Sequence, residues 1–428
     1  MRDLFFLLFT LSVLSAYTQP KTNWNQYLGS DRNATITGTG ILRSWPADGP
    51  AKLWSIPLGP GYGGASIYGD EVFVLDRKAE ETDILRCIDL DTGVEKWSFA
   101  YEAKGEIPYP GSRATPTVDE NYIWSVGPHG HLHCVDKNNH QSVWSYDLLA
   151  KYGGTLPNWG FSQSPIIYKD LVITAPQGDK AGVVAFNKLT GQVVWESRRL
   201  SGYRFHVSPA LGNYGGVDQI IMISSCVKND GLVSDEVVAF EAGTGKELWT
   251  YKGLNSFASI SPATIVDSKR LLLTECAYND KYDPVTVMLE IMKEGDLFEV
   301  KELFFNTGAG SKMHPPVIFD NHIYLNNTAG AKMQMTCLTF NGEEVWEKGS
   351  APNFELGGLI MIDGLIINQN GKNGDIHLIE PTPKGYREIS KASFFNSPKS
   401  QAWAPLAYSK GKLIVRDMEK MVCVELKK

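Results

Sequence analysis

Residues 184–195 read VAFNKLTGQVVW, and residues 238–249 read VAFEAGTGKELW. An earlier copy, CIDLDTGVEKW, occupies 87–97. In each, an alternating apolar run stops at a Thr-Gly pair and then resumes, ending on Trp. Alternation at period two marks a half-buried strand. Gly in a tight hairpin supplies the positive φ that other residues resist. Each copy is therefore a hairpin with a large ring at its end. Looser copies stand at CVDKNNHQSVW (134–144), CLTFNGEEVW (337–346) and HLIEPTPKGYREI (377–389). Trp97, Trp144, Trp195, Trp249 and Trp346 are spaced by 47, 51, 54 and 97 residues, the last spacing being two repeats. MLEIMKEGDLFEV (288–300) fills that gap, with Phe298 or Val300 in place of Trp. A strand-patterned repeat of this length predicts a β-propeller. The recurring Trp residues are then structural, burying their rings between neighbouring blades.

Each repeat divides into four strands. Small-residue and Pro segments such as SPII (164–167) and SPAT (261–264) begin an inner strand. Eight such starts occur, at Ala65, Ala114, Ser164, Ser208, Ser261, His314, Gly358 and Ala404. The eighth repeat stops after its third strand, at CVELKK (423–428). Its missing outer strand is available in AKLWSIPL (51–58), whose Trp54 matches the repeated Trp. The expected fold is all-β: one eight-bladed propeller over 51–428, closed by an N-terminal strand that completes the last blade. Closure removes the open edges of a linear array.

Composition agrees with that class. The chain has 428 residues, 43% hydrophobic and 21% charged, which suits a chain that buries a core. At about 150 residues per domain two or three domains are allowed, but so is one large all-β domain. A formal charge of −7 argues against gripping nucleic acid through its phosphates. Leu4 to Leu14 form an uncharged apolar run behind Arg2, followed by small residues at Ser15 and Ala16. That is a signal-peptide core and too short to span a bilayer. Residues 1–18 are expected to be a signal peptide cleaved near Thr18, and 19–50 an N-terminal extension. No later run is long enough to cross a membrane, so the mature chain is expected to be a periplasmic or secreted monomer. Cys87, Cys134, Cys337 and Cys423 fall at one repeated position, where Ala185 and Ala239 also stand. Cys acts there as a small buried residue, too far from its equivalents to bridge. Cys226 and Cys276 sit at matching points of adjacent repeats, and their pairing stays open.

The repeat resembles the β-propeller family named for pyrroloquinoline quinone (PQQ), with its hydrophobic-Asp, Thr-Gly and Trp pattern. The resemblance covers about 51–428. The opening segment Trp24-Asn-Gln-Tyr-Leu-Gly-Ser-Asp-Arg-Asn33 is similar to the preface of secreted bacterial members. The family includes quinoprotein alcohol and sugar dehydrogenases, which would imply PQQ and calcium as cofactors. It also includes the propeller lipoprotein of the outer-membrane barrel-assembly machinery, which binds proteins and no quinone. Fold alone does not choose between them. The adjacent Cys pair that many of the dehydrogenases carry is missing here. Their calcium ligands and catalytic Asp have no positional match. The primary expectation is therefore a non-catalytic module that binds a glycan, protein or peptide. The alternative is a PQQ- and calcium-dependent oxidoreductase acting on an alcohol or sugar.

In a propeller the loops leading into the inner strands share one face around the central channel, where a ligand can be met from many sides. Those loops carry Tyr62, Arg113, Trp159, Gln163, Arg204, His206, Lys312, His314, Glu355 and Trp403. Arg113, Arg204 and Lys312 precede even-numbered blades and should face inward from three sides. Positive charge gathered in an acidic protein attracts an anionic or oxygen-rich ligand, with Trp159 and Trp403 as stacking walls. The competing reading is that these residues fill the channel. His129, His131 and His133 alternate, as metal ligands on one strand face would. Repeat register, however, puts His133 level with His377, so no metal site is assigned. Asn279-Asp-Lys-Tyr-Asp283 offers oxygen ligands that suit calcium, and equally suits a plain turn.

Overall fold

Gly93 and Gly245, from two of the Thr-Gly pairs, both sit at φ +73. A Cβ added there would lie 2.7 Å from the Trp54 ring and 2.6 Å from the Trp195 ring, respectively. The glycine thus serves twice, turning the hairpin and seating the ring of the preceding blade. The rings also donate forward. Trp54 Nε1 donates to the Leu90 carbonyl (2.9 Å), Trp144 Nε1 to Lys188 (3.1 Å), Trp195 Nε1 to Ala242 (3.1 Å) and Trp346 Nε1 to Thr382 (2.8 Å). Each indole fastens its own blade to the next.

The computed structural model describes residues 23–201, 206–227, 233–254, 260–275, 283–328, 334–346, 349–395 and 401–427, with the backbone alone at 225–227, 233 and 234. The expected signal peptide, Arg204, the Cys226–Cys276 pair and residues 279–282 of the Asn/Asp loop lie outside the described residues or side chains.

Eight antiparallel sheets form eight blades. Their inner strands are Ser66–Tyr68, Thr117–Val118, Ile166–Tyr168, Ala210–Tyr214, Thr264–Ile265, Val317–Phe319, Leu359–Ile362 and Ala407–Ser409. Each begins one to three residues after its expected start. Lys52–Pro57 pairs antiparallel with Lys420–Glu425 and places Trp54 opposite Cys423, as the closure required. Through the Leu90 bond Trp54 then ties the eighth blade to the first, which shuts the ring. Cys87, Cys134, Cys337 and Cys423 are free and buried.

Two blades depart from the pattern. In the fifth, the Trp position belongs to Phe304, which pairs with Met288 and covers Gly342 of the sixth blade. The sequence reading placed it at Phe298 or Val300. The reason for the correction is a longer hairpin, Val285–Glu294 against Leu297–Asn306, which carries the ring position further along. In the sixth blade the fourth strand is, among the described residues, a bridge between Leu338 and Glu344.

The segment before the first blade packs inside the disc. The Trp24 amide donates to the Ile67 carbonyl (3.0 Å) and the Ile67 amide to that of Trp24 (2.8 Å), on the first inner strand. Asn25 exchanges bonds with Val118 on the second. Arg32 Nη2 donates to the Pro209 carbonyl (2.9 Å) just before the fourth. Thr35–Ile36 then pairs in parallel with Met361 and Ile362 of the seventh. Three inner strands around the channel and the residue before a fourth are bridged by one short segment, which therefore occupies the channel. Trp24, Tyr27 and Leu28 join the same apolar core as blades six to eight and one. Among the described residues the helix Leu148–Tyr152 is short, and no helix is long and apolar enough to cross a membrane.

Candidate functional site

A cavity of about 160 Å³ opens among the loops that lead into the inner strands. Every blade contributes to its wall: Tyr62 before the first, Arg113 before the second, Trp159 and Ser164 at the third, and His206 and Ser208 at the fourth. Ile260 belongs to the fifth, Lys312 and His314 to the sixth, Leu356 to the seventh, and Trp403 and Pro405 to the eighth. Tyr109, half exposed, lines the outer part, and Tyr27 closes the cavity from the channel side.

Shared hydroxyls hold these strand starts together. The Gly64 amide donates to Thr115 Oγ1 (3.2 Å), Thr115 to Ser164 Oγ (2.9 Å), and Ser164 to Ser208 Oγ (2.9 Å). Small hydroxyl residues recur there because each hydroxyl accepts a hydrogen bond from the backbone of a neighbouring blade. An unmade bond at a buried amide would cost about 1–3 kcal/mol.

Two aromatic walls face the space. On one, Trp403 stacks on Tyr62 (5.3 Å, 27°), with Tyr109 edge-on to Tyr62 at 6.3 Å. Tyr62 donates to Gln401 Oε1 (2.6 Å). On the other, Trp159 stacks on His206 (5.1 Å, 29°), and Lys312 Nζ lies 5.2 Å from the Trp159 ring centre.

The charges have one sign. The Arg113 guanidinium donates to the carbonyls of Gly111 (2.6 Å), Pro108 (2.7 Å) and Tyr109, all in its own loop. Burial lowers it to about 10, which leaves it charged near neutrality. Burial, then the Arg113 cation, push His206 down to about 4. Burial pushes His314 to about 4 as well, against the bond between its Nε2 and the Trp403 carbonyl (2.9 Å). Both imidazoles are therefore neutral at pH 7, and His314 must donate through Nε2. No Asp or Glu lines the cavity among the described residues.

Seven of the ten residues picked from the sequence line this one cavity: Tyr62, Arg113, Trp159, His206, Lys312, His314 and Trp403. Gln163 sits behind the wall, fully buried, with its Oε1 accepting from the Ala175 amide (3.0 Å). Glu355 lies outside the lining, while its neighbour Leu356 takes the inward position. Tyr27 and Tyr109 were missed. Tyr27 belongs to the quoted preface, but nothing in that stretch shows that it doubles back into the channel.

The His motif is divided. His131 and His133 lie on the strand His131–Asp136, and His133 packs at 4.1 Å on Tyr101 of the first blade. His129 sits in the preceding loop against Arg77 Nη2 (3.2 Å) and the Gly105 carbonyl (3.1 Å). Among the described residues no three His, Cys, Asp or Glu side chains form a metal set.

The quinone and calcium of the dehydrogenase branch can be tested against this lining. The two cations and the stacked indoles suit an aromatic polyacid, but a hard cation needs several oxygen ligands, usually including carboxylates. The lining supplies none of these carboxylates, so the described residues do not fit the cofactor pair.

Comparison with known proteins agrees with the geometry. The chain is 23% identical over 156 residues to a quinoprotein ethanol dehydrogenase of Pseudomonas aeruginosa, a match spanning 36% of this chain and 24% of that protein. A europium-containing methanol dehydrogenase superposes with a TM-score of 0.65 at 12% identity, covering 92% of this chain and 89% of the other. The quinohemoprotein alcohol dehydrogenase of Comamonas testosteroni gives 0.64 at 11% identity, over 96% and 82%. BamB from Moraxella catarrhalis gives 0.57 at 14% identity, over 88% and 99%. At such identities these structures establish the fold alone. The family model described as outer membrane protein assembly factor BamB matches residues 80–347, more than half of the chain, and the protein belongs to that PQQ-like propeller family.

Proposed function

We propose that this protein is an exported, monomeric binding module that holds an acidic glycan, protein or peptide segment non-catalytically at the rim of its channel. The observation that carries this reading is the one-signed lining, with Arg113 and Lys312 present and no carboxylate among the described residues. The overall charge is −7, so cations gathered at one concave spot run against the average of the surface and raise the local concentration of anions. Trp159 and Trp403 also line the cavity, and an indole face not already stacked on His206 or Tyr62 suits a sugar ring or a flat side chain. The family match to a BamB model supports a binding role, and the match to an ethanol dehydrogenase supports quinone-dependent oxidation as a second reading.

The test is calorimetric titration of the wild type and of the variant R113A/R204A/K312A with acidic and neutral oligosaccharides. The wild type is expected to bind the acidic series, and the variant to bind it at least tenfold more weakly. Equal binding by the two proteins would sink the reading. So would a bound chromophore with dye reduction by alcohols or sugars after addition of quinone and calcium.

A further inference from the structure

We propose that the cavity receives the end of an acidic glycan, one terminal uronate ring, and that Tyr27 of the N-terminal segment is the binding residue at its floor. This rests on the binding role proposed above and narrows it. The first reason is that the site is blind. Residues 24–36 are bonded to the inner strands of blades one and two, to the start of blade four and to blade seven, so the channel beneath the cavity is filled. A polymer cannot thread the disc, and only a chain end can reach the floor.

The second reason is size. The cavity holds about 160 Å³ below an open mouth, and a closed cavity of about 150 Å³ holds benzene, so the space admits one ring with its substituents toward the mouth and has no room for two. Trp159 and Trp403 both line the space, each braced by a stacked neighbour, His206 and Tyr62.

The third reason is the polarity of the groups around it. Ser164 and Ser208 already accept from the backbone amides of Thr115 and Ser164, so their own protons remain to be donated. Lys312 makes no hydrogen bond or ion pair among the described residues, and neither does the Tyr27 hydroxyl. Burial raises the Tyr27 phenol above its ordinary range, so it stays protonated and acts as a donor. Arg32 lies 5.9 Å from its ring centre and bonds to Pro209, which holds the ring in place. A space offering donors and cations, without a carboxylate, complements a carboxylate-bearing sugar with acceptor oxygens.

The experiment is calorimetry of the full mature chain with oligogalacturonates and oligoglucuronates of two, four and six units, and with polyglutamate peptides. It is run on the wild type and on Y27F, with thermal melting of both. The expected result is an affinity per chain that does not change with length. Y27F should bind roughly tenfold more weakly, the loss of about one hydrogen bond to a charged group, with an unchanged melting temperature. Affinity per chain that climbs with length would overturn end recognition in favour of a groove. Equal binding by Y27F would overturn the role of Tyr27. Binding of polyglutamate in place of the uronates would overturn the glycan assignment. Failure of the wild type to bind any acidic chain would overturn the binding role itself, a different outcome from the other three.

Discussion

A glycine of one blade and a tryptophan of the blade before it share a single contact, and the two residue types are legible in the sequence because neither position accepts much else. Gly245 has φ +73 and lies under Trp195, so G245A forces both a left-handed alanine and an overlap at 2.6 Å. The expected cost is about 3 kcal/mol, from strain and overpacking together. W195A should cost about 3–5 kcal/mol. Because the alanine clash disappears with the ring, the double variant should fall short of the sum, and a denaturant-unfolding cycle measures the difference. Strict additivity would show that the two residues act separately. Phe304 escaped notice because the hairpin before it is long and the other copies are short. Gln163 and Glu355 were grouped with the cavity residues because a loop position shows in sequence, whereas the direction of its side chain depends on packing.

At the scale of the element, the strand starts and the closing strand could be read from alternation and turns, whereas the path of residues 23–50 could not. That segment has no repeat to compare it with, and its contacts are to residues far along the chain. One latch holds it. The Asp363 carboxylate, in the turn after the seventh inner strand, accepts from the amides of Thr39 (3.0 Å), Gly40 (2.6 Å) and Ile41 (3.2 Å) and from the Thr39 hydroxyl (2.8 Å). Burial raises the Asp363 pKa, but these bonds outweigh it and hold the group below its usual value. The latch is thus fully made above the ordinary carboxylate pKa and is lost as pH falls through the lowered one. D363A is expected to destabilise by about 1–3 kcal/mol. It should also speed amide exchange at residues 39–41 while the outer strands of blades two to four keep their protection. Uniform exchange across all blades would show that the segment is not held locally.

For the molecule as a whole, histidines buried wholly or in part contribute to the acid limit. Burial pushes His133, His206 and His314 each to about 4 and lowers His129 and His377 in the same direction. The unfolded chain binds these protons near the ordinary histidine pKa of about 6.5, and the folded chain does not. Stability is therefore fully present above that pH and is lost as pH falls from about 6.5 toward 4. Melting temperatures taken from pH 7.5 to 4.5 should drop over that interval, and the drop should be shallower in H206Q/H314Q. A flat profile in the wild type would show that these side chains are solvated. The ring closure at Trp54 and Cys423 has a consequence in time as well as in space. The strand that carries Trp54 is synthesised before all eight inner strands, yet its partner belongs to the eighth blade. A nascent chain can form hairpin after hairpin as it emerges, but its closing strand waits, unpaired, for a mate that does not yet exist. Such a chain keeps exposed edges for the whole of its synthesis. By the same token it cannot shut into a disc until the strand opposite Trp54 arrives.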